Sequence, residues 1–245
     1  PRSTLVAVAD AQPDAARALA AETGAQVRSV EAVLDDPAIA AVLIATSTDT
    51  HVDLIDRALA RGKAVLCEKP VDQDLARAQA CAERVAASDC PVMIGFNRRF
   101  DSNFMALKQA FDRGEVGRAE LLSITSFDPA PPPLDYIKVS GGQFRDQTIH
   151  DFDIVCWLLG LPERVMAVGS CLVDPAIGEA GDIDTSVVVL TYADCRIATI
   201  RNTRRASYGY DQRIELLGSE GLLQVDNVRE NTLVKATAEG IVSAN

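Results

Sequence analysis

The sequence has few of the features that mark zinc proteins, nucleic-acid-binding proteins or membrane proteins. Its 6 cysteines form no C-x-x-C pair, which argues against a zinc site and predicts reduced thiols in a cytoplasmic protein. The 24 basic residues are outnumbered by 35 acidic residues, and the net charge of −11 argues against binding to nucleic acid or to an anionic membrane. No apolar run approaches the ~20 residues of a membrane helix. We therefore expect an ordinary soluble protein.

The glycine-rich fingerprint G-x-G-x-x-G of dinucleotide-binding folds is also missing. Yet the apolar run 3–9 ends at Asp10, and the second strand of such folds ends in an acid that binds the cofactor's ribose. We therefore expect the first strand–turn–helix unit, roughly thirty residues, to lie outside this chain. We expect the same of a C-terminal segment, because no packing helix follows residue 237. The alternative is that Asp10 only caps a loop.

The first 100 residues alternate apolar runs with helical stretches. The predicted strands are 3–9, 26–27, 40–46, 63–67 and 91–96, and the predicted helices are 13–23, 50–61 and 74–88, with a helical turn near 31–35. Apolar runs without polar alternation predict strands buried on both faces of a parallel sheet. This order predicts α/β architecture, a truncated Rossmann-type parallel sheet forming a dinucleotide-binding domain over 1–100.

Beyond residue 100 the strands alternate more strongly between apolar and polar residues. The predicted strands are 119–127, 164–173, 185–192, 196–204, 212–217 and 221–225, and the predicted helices are 102–113 and 148–159, with a proline-rich loop at 129–133. Several strands in succession with few helices predict an α+β domain with a large, mostly antiparallel open sheet. We assign it to 101–245, incomplete at its C-terminal end.

Hydroxyl-bearing residues follow the predicted strand 40–46. Thr46, Ser47 and His51 stand at the carboxyl end of a parallel strand, which is where such sheets bind ligands. Their hydroxyl groups and the next helix N-terminus suit ribose, phosphate or nicotinamide. The alternative is an ordinary capping cluster, with Thr48 or Asp49 capping that helix.

Two charged groupings are candidates for the chemistry. Lys69 stands between Glu68 and Pro70 at a strand end, where a fixed cation can lower the pKa of a substrate hydroxyl group. The alternative is that Lys69 is a solvated lysine without a catalytic role. Asp146 and His150 share one helix face if the helix begins near Asp146. A carboxylate one turn away holds a histidine in one tautomer, suited to proton transfer. The alternative is a capping aspartate and a structural histidine.

Together, these motifs resemble those of the Gfo/Idh/MocA oxidoreductase family. The resemblance covers essentially the whole chain and rests on three features in order: the strand-end Glu-Lys-Pro, an Asn-Arg-Arg-Phe junction at 97–100, and a Gly-Gly-x₃-Asp-x₃-His-Asp helix start at 141–151. Segments 174–185, 208–213 and 218–221 are similar to family members that oxidise inositols.

The resemblance implies NAD-dependent oxidation of a secondary alcohol of a cyclitol, with myo-inositol giving 2-keto-myo-inositol. It implies that His150 is the general base, that Asp146 orients the substrate and relays the proton, and that Lys69 contacts both cofactor and substrate. The implied cofactor-binding residues are Asp10, Thr46, Ser47, His51, Glu68 and Lys69. The implied substrate-binding residues are Lys69, Asp128, Asp146, His150 and Tyr210. An acid at position 10 favours NAD over NADP, because it repels a 2′-phosphate.

Alternatives remain at this level. Another sugar or a dihydrodiol is a possible substrate, and a non-catalytic binding module is a different class of function. The presence of Lys69, Asp146 and His150 argues against the non-catalytic module, because it has no need of them. The family resemblance further implies a homotetramer formed through the second-domain sheet, without a metal.

Overall fold

The polypeptide is organised as two units, Pro1–Phe96 and Asn97–Asn245. The structure is a computed structural model that describes residues 3–227, 234–237 and 240–243. Residues Asn97–Phe100, which the sequence analysis put at the end of the first domain, form a 3-10 helix at the start of the second unit. The contacts of Arg99 account for this, because its guanidinium donates to both carboxylate oxygens of Asp153, at 2.7 and 2.8 Å.

In the first unit, apolar runs form short parallel strands that alternate with helices. The elements are β1 (Ala7–Val8), α1 (Pro13–Thr23), β2 (Gln26–Val27), α2 (Val30–Asp35), β3 (Ala41–Ile44), α3 (His51–Leu59), β4 (Ala64–Cys67), α4 (Leu75–Ala86) and β5 (Val92–Ile94). Strand β1 pairs with β2, and β3, β4 and β5 form a second sheet in that order; all the pairs are parallel. The predicted Rossmann-type alternation is confirmed.

The core of the first unit lies between α3 and the sheet of β3 and β4. Val52, Ile55 and Ala58 recur at the spacing of one helix face and are almost fully buried. They pack in one cluster with Val65 and Cys67 of β4. This packing fixes the positions of the carboxyl ends of β3 and β4, and therefore the positions at which the loops that follow them begin.

The expectation that the first apolar run is a strand buried on both faces is wrong. Only Ala7 and Val8 form a strand, and Leu5 and Val6 are 51% and 45% exposed. In β3, Leu43 is 67% exposed although its neighbour Ile44 is 5% exposed. Among the described residues, β1 is hydrogen-bonded only to β2 and β3 only to β4, so each has one unpaired edge.

The second unit is built around a six-stranded sheet. Its elements are α5 (Ser102–Asp112), β6 (Ala119–Phe127), α6 (Leu134–Ser140), α7 (Gln143–Asp146), α8 (Ile149–Leu159), β7 (Arg164–Ser170), α9 (Pro175–Glu179), β8 (Thr185–Thr191), β9 (Ile197–Thr203), β10 (Asp211–Gly218) and β11 (Gly221–Val225). The strand order is β11-β10-β6-β9-β8-β7, with only the β6–β9 pair parallel. The predicted large, mostly antiparallel sheet is confirmed. Strands β12 (Val234–Thr237) and β13 (Gly240–Ser243) form a separate antiparallel pair.

One face of the six-stranded sheet carries the core, and the strands alternate as their pleat requires. Leu122, Val188, Ile200 and Ile214 are fully buried and belong to the same cluster as Ile154 of α8. Helix α8 therefore packs on this face of the sheet, and its N-terminal end is held there. Within the described residues, no helix is long and apolar enough to cross a membrane.

Three short helices in the second unit were not predicted. Helix α6 lies between Pro133 and Gly141 (φ +85°), and α7 follows Gly142 (φ +86°). Because proline and glycine are typical of loops, the sequence here suggests a loop rather than helices. Helices of 7, 4 and 5 residues are also too short to show a helical period. For α9 a signal existed, because Asp174 caps it by accepting from the Ala176 amide at 3.0 Å and Pro175 is its first residue.

Candidate active site

In the first unit, the loop after β3 carries Thr46 and Ser47 at the carboxyl edge of the sheet. Both are exposed. The hydroxyl groups of Thr46 and Thr50 are 2.7 Å apart, and Thr50 Oγ1 donates to the Ser47 carbonyl at 2.8 Å. Neither Thr48 nor Asp49 caps helix α3; its N-cap is Thr50, without a side-chain capping bond. The capping alternative is therefore wrong, and the Ser47 side chain is left exposed at the strand end.

His51 joins the loops that follow β3 and β4. Its ring is 1% exposed, with Nδ1 2.8 Å from the Pro70 carbonyl oxygen and Nε2 3.0 Å from the Thr46 carbonyl oxygen. Both ring nitrogens thus face backbone acceptors, and a neutral imidazole donates to one of them at a time. The ring holds the two loops together, and it is buried rather than presented to a ligand. We therefore revise its expected role from direct cofactor contact to support of the loops.

Glu68 and Lys69 follow β4, at the carboxyl end that the sequence predicted. The Glu68 amide donates to the Ile44 carbonyl at 2.9 Å, which continues the sheet by one residue. The Glu68 carboxylate lies over Gly95, where a Cβ atom would come within 3.0 Å of Oε2. Gly95 therefore leaves the space that this carboxylate occupies. Lys69 is half-buried, and the Lys69–Pro70 peptide bond is cis.

Asp10 follows β1 and is exposed. Its Oδ1 accepts a hydrogen bond from the Gln12 amide at 2.7 Å, so the aspartate supports the turn that leads into α1. One carboxylate oxygen therefore stabilises the loop, as expected from the alternative in which Asp10 caps a loop. The exposed carboxylate still lies at the end of its strand, where the ribose-binding acid of a dinucleotide fold stands.

The second unit contains a polar cavity of about 670 Å³. It brings together four residues that the sequence analysis selected, Asp128, Asp146, His150 and Tyr210. Its other lining residues are Asn97, Arg98, Phe100, Asp101, Phe104, Gln147 and Gln212. Carboxylates, amides, an imidazole and a guanidinium on one concave surface can donate to and accept from several hydroxyl groups at once.

Asp146 and His150 line this cavity from two different helices. Helix α7 ends at Asp146 and α8 begins at Ile149, so the expected single helix face is wrong. The turn between them is drawn towards β9, because Gln147 Nε2 donates to the Thr203 carbonyl at 3.1 Å and Thr148 Oγ1 donates to Asn202 Oδ1 at 2.9 Å. The break still leaves both side chains on the cavity wall.

Two residues that the sequence analysis missed lie against Asp146. The hydroxyl of Tyr136 donates to Asp146 Oδ1 at 2.8 Å, and Arg204 Nη2 is 3.8 Å from Asp146 Oδ2. Burial, followed by the hydrogen bond to Asp146, raises the pKa of Tyr136 to about 12, so the phenol keeps its proton and remains a donor. No local sequence pattern predicts these contacts, because they join separate elements of the chain.

Asp128 directly follows β6 and is held by its backbone. Its amide donates to the Thr203 carbonyl at 3.0 Å, and its carbonyl accepts from the Ala206 amide at 2.7 Å. Burial raises the pKa of its carboxyl group to about 6, although Arg98 and Arg204 act in the opposite direction. Asp128 is therefore mostly ionised at neutral pH and becomes protonated in mild acid.

Behind the cavity, Arg98 is fixed by a buried acid. Asp151 is fully buried, with Arg98 Nη1 against Oδ1 and Asn202 Nδ2 donating to Oδ2 at 2.8 Å. Arg98 Nη2 also donates to Ser126 Oγ at 2.9 Å. Burial raises the pKa of Asp151, and the cation of Arg98 opposes that shift. The guanidinium on the cavity wall thus has fixed partners on its inner side.

Tyr210 marks the outer edge of the cavity. Its side chain is 68% exposed, although the residue lines the cavity wall. Gln212, two residues later, has its amide tied to Asn227 Oδ1 at 2.7 Å and its Oε1 3.3 Å from Ser126 Oγ. Tyr210 therefore lies at the rim of the cavity, with most of its side chain exposed.

Comparison with known families identifies both units. Residues 1–96 match the family described as "Oxidoreductase family, NAD-binding Rossmann fold", and residues 104–224 match the "GFO/IDH/MocA C-terminal domain". The chain belongs to the Gfo/Idh/MocA oxidoreductase family. The resemblance drawn from the three sequence motifs is therefore confirmed, and NAD is the cofactor of the family's Rossmann domain.

Named relatives of this Gfo/Idh/MocA protein act on inositols. The chain is 51% identical to the inositol 2-dehydrogenase of Rhizobium meliloti and 46% identical to the myo-inositol 2-dehydrogenase of Thermotoga maritima. Each alignment covers 96% of this chain and 72% of the relative. The crystal structure of a myo-inositol dehydrogenase from Corynebacterium glutamicum superposes with a TM-score of 0.93 at 41% identity, covering 100% of this chain and 73% of that one.

The first unit of this Gfo/Idh/MocA protein has side chains that suit the sugar half of NAD. Asp10, Thr46 and Ser47 are exposed after β1 and β3, and carboxylate and hydroxyl groups there pair with ribose hydroxyls. The space left by Gly95 lets the Glu68 carboxylate lie at the carboxyl end of β4, in the same sheet as β3. These residues therefore fit the cofactor of the family.

Proposed function

We propose that the protein is an NAD-dependent dehydrogenase that oxidises myo-inositol to 2-keto-myo-inositol. The observation that carries the proposal is the second-unit cavity, in which Asp128, Asp146 and His150 offer charged and hydrogen-bonding groups to a polyol. The names of the two relatives support the choice of an inositol. NAD, when bound, supplies the acceptor for the hydride that leaves the alcohol carbon.

In this proposal His150 is the general base. It removes the proton of the reacting hydroxyl group, and Asp146, on the same cavity wall, orients the substrate and relays the proton. Tyr136 donates to Asp146 Oδ1, which directs that carboxylate from the side of α6. Proton removal by a held histidine is effective near neutral pH, because the ordinary pKa of imidazole lies there.

Lys69 has the electrostatic role in the proposal. It lies two residues after β4, and the amide of the preceding Glu68 is hydrogen-bonded to the Ile44 carbonyl at 2.9 Å, so the backbone that carries Lys69 is held at the strand end. As the hydroxyl proton leaves, negative charge develops on the oxygen, and a preorganised cation stabilises it most in the transition state. Lys69 would also contact the cofactor.

We assign the remaining binding roles as follows. Asp10, Thr46, Ser47 and Glu68 hold the cofactor, and His51 supports their loops from within. Asp10 favours NAD over NADP, since a carboxylate repels the 2′-phosphate. Asp128 accepts hydrogen bonds from substrate hydroxyls at the cavity wall, and Tyr210 covers the substrate at the rim.

The test is a panel of alcohols assayed by NADH absorbance. With myo-inositol we expect the highest kcat/KM, and with scyllo-inositol, glucose and a dihydrodiol lower values. A preference for glucose or the dihydrodiol would overturn the inositol assignment. Calorimetry with NAD addresses the remaining alternative: absence of detectable binding would overturn the enzyme proposal and favour a non-catalytic module.

We further propose a cytoplasmic homotetramer that serves inositol breakdown. The outer face of the six-stranded sheet supports self-association, because the strand register puts exposed apolar residues on one side of it. These residues are Leu121, Met166, Val168, Val187, Ile197, Leu217 and Leu222. Exposed apolar residues grouped on one face of a sheet are typical of an interface.

A further inference from the structure

Arg204 is a buried cation in the second unit. Only 1% of its side chain is exposed, and it directly follows β9. Its Nη1 lies 3.2 Å from Asp182 Oδ2, and its Nη2 lies 3.8 Å from Asp146 Oδ2. A guanidinium this deeply buried is stable only where acids balance its charge, and these two carboxylates are the acids within ion-pair distance of it.

Asp182 connects this cation to the helix that carries Asp146. Its Oδ1 accepts from the Gln143 amide at 3.0 Å, at the first residue of α7. The approach is close, because a Cβ atom on Gly142 would be 2.9 Å from Asp182 Oδ1. Asp182 therefore holds the beginning of α7, while Arg204 faces the aspartate at its end.

The two oxygens of Asp146 face different groups. Tyr136 donates to Oδ1 from α6, and Arg204 faces Oδ2 from the end of β9. Arg204 does not itself belong to the cavity lining among the described residues. We propose that Arg204 is a positioning residue, which fixes Asp146 in the orientation that substrate oxidation requires. The proposal rests on the proposed function.

Geometry makes arginine suited to this task. Its planar guanidinium presents separate nitrogens to Asp182 and Asp146, whereas the single ammonium of lysine is a point charge. At 3.8 Å, Arg204 Nη2 and Asp146 Oδ2 are close enough for an ion pair, and both residues belong to the second unit, whereas the residues assigned to NAD belong to the first. The contribution of Arg204 should therefore appear in turnover rather than in NAD binding.

The test compares Arg204→Lys in two backgrounds. In the wild-type background we expect kcat for myo-inositol to fall about tenfold or more, with KM for NAD within about twofold of the wild-type value. In the Asp146→Asn background, the same substitution should change kcat by less than about twofold, because the side chain that Arg204 positions is already altered. An equal loss in both backgrounds would show a general structural role and overturn the proposal.

Arg113→Lys is the matched control. Arg113 follows α5, is exposed, and donates from Nε to Glu115 Oε1 at 2.7 Å, so its replacement should leave kcat unchanged. If Arg204→Lys does not fold, the paired variant Asp182→Asn/Arg204→Met removes an acid and the cation together, which a fold tolerates better than an uncompensated charge. It should show the same loss of kcat in the wild-type background and no further loss in the Asp146→Asn background; unchanged kcat would overturn the proposal.

A spectroscopic readout is independent of activity. The ¹⁵N resonances of the Arg204 guanidinium should shift in Asp146→Asn but not in the control variant Asp135→Asn, whose carboxylate pairs with Lys138. Unshifted Arg204 resonances in Asp146→Asn would overturn the proposed contact. If the wild-type protein does not turn over inositol, but the Arg204 resonances still shift in Asp146→Asn, the proposed function is refuted and the contact stands.

Discussion

At the scale of single residues, burial and local charge determine which carboxylates of the second unit can change their charge. Asp151 is fully buried and held by Arg98 and Asn202, so its task is to fix Arg98. Asp128 has a pKa of about 6, because burial outweighs the cations near it. With this pKa, Asp128 is expected to change protonation in mild acid.

Asp128 should make substrate binding dependent on pH. The folded-state pKa of about 6 lies above the ordinary value of 3.8, so the folded protein takes up a proton as pH falls through 6 while the unfolded chain is still ionised. This group's contribution to the free energy of unfolding therefore rises as pH falls from 6 towards 4, and declines as pH rises through 6. The carboxylate acceptor is lost at the same time.

We expect KM for myo-inositol to rise roughly tenfold between pH 7 and pH 5, since one pH unit below the pKa leaves about a tenth of the group ionised. The check is KM against pH for the wild-type protein and Asp128→Asn. The variant should have a raised KM without this acid-side increase. Parallel profiles for the two proteins would contradict the role of Asp128.

Lys69 supplies a prediction about the chemical step. Lys69→Ala should lower kcat for myo-inositol by about 10³, the size expected when a preorganised group that stabilises developing oxyanion charge is removed. The melting temperature should stay near the wild-type value, since Lys69 is only half-buried at a strand end. Lys138→Ala, at an exposed lysine paired with Asp135, is the control. Near-normal turnover by Lys69→Ala would refute its role.

At the scale of elements, strongly patterned segments were predictable and contacts between elements were not. The bounds of α1, β6 and β11 agree with the sequence prediction, because proline or glycine marks an end of each: Pro13 and Gly24 for α1, Gly117 before β6 and Gly221 at the start of β11. Asp146 and His150 were correctly associated, but the break between α7 and α8 was missed. That break depends on Gln147 and Thr148 bonding to β9, more than 50 residues away along the chain.

The packing of Gly95 against Glu68 supplies a prediction at this scale. Gly95→Ala puts a Cβ atom within 3.0 Å of the Glu68 carboxylate. Because the Glu68 side chain is exposed, we expect this side chain to move rather than the backbone at position 95. We expect the Kd for NAD, measured by calorimetry, to rise roughly threefold to tenfold, which corresponds to about 1 kcal/mol. In a Glu68→Ala background the same substitution should have no further effect. An unchanged Kd in the single variant would count against a cofactor role for Glu68.

At the scale of the whole molecule, each unit contributes a different part of the proposed activity. The first carries Lys69 and the hydroxyl and acidic groups for NAD, and the second carries the polyol cavity and the outer sheet face. The sequence alone could identify the family from motif order, since Glu-Lys-Pro and the Asp146–His150 pair are local. It could not identify Arg204 or Tyr136, whose functional contacts arise only in the folded chain.

The outer sheet face predicts how assembly can be disrupted. Val187 is 46% exposed on β8, paired with Val168 of β7, and Val187→Lys should convert the proposed tetramer to smaller species by putting a charge in an apolar interface. Sedimentation measures the change. Leu75→Lys, at a residue of α4 that is 69% exposed, is the control and should leave the assembly unchanged. A Val187→Lys protein that sediments as the wild type would refute this interface.

The central claim is that this chain catalyses oxidation of myo-inositol at a carbon that carries a hydroxyl group. The most direct measurement uses myo-inositol deuterated at C2, with NAD, followed by mass analysis of the reduced cofactor and of the initial rate. We predict one deuterium per NADH and a rate below that with unlabelled substrate. NADH without deuterium, or no NADH from either substrate, would contradict the claim.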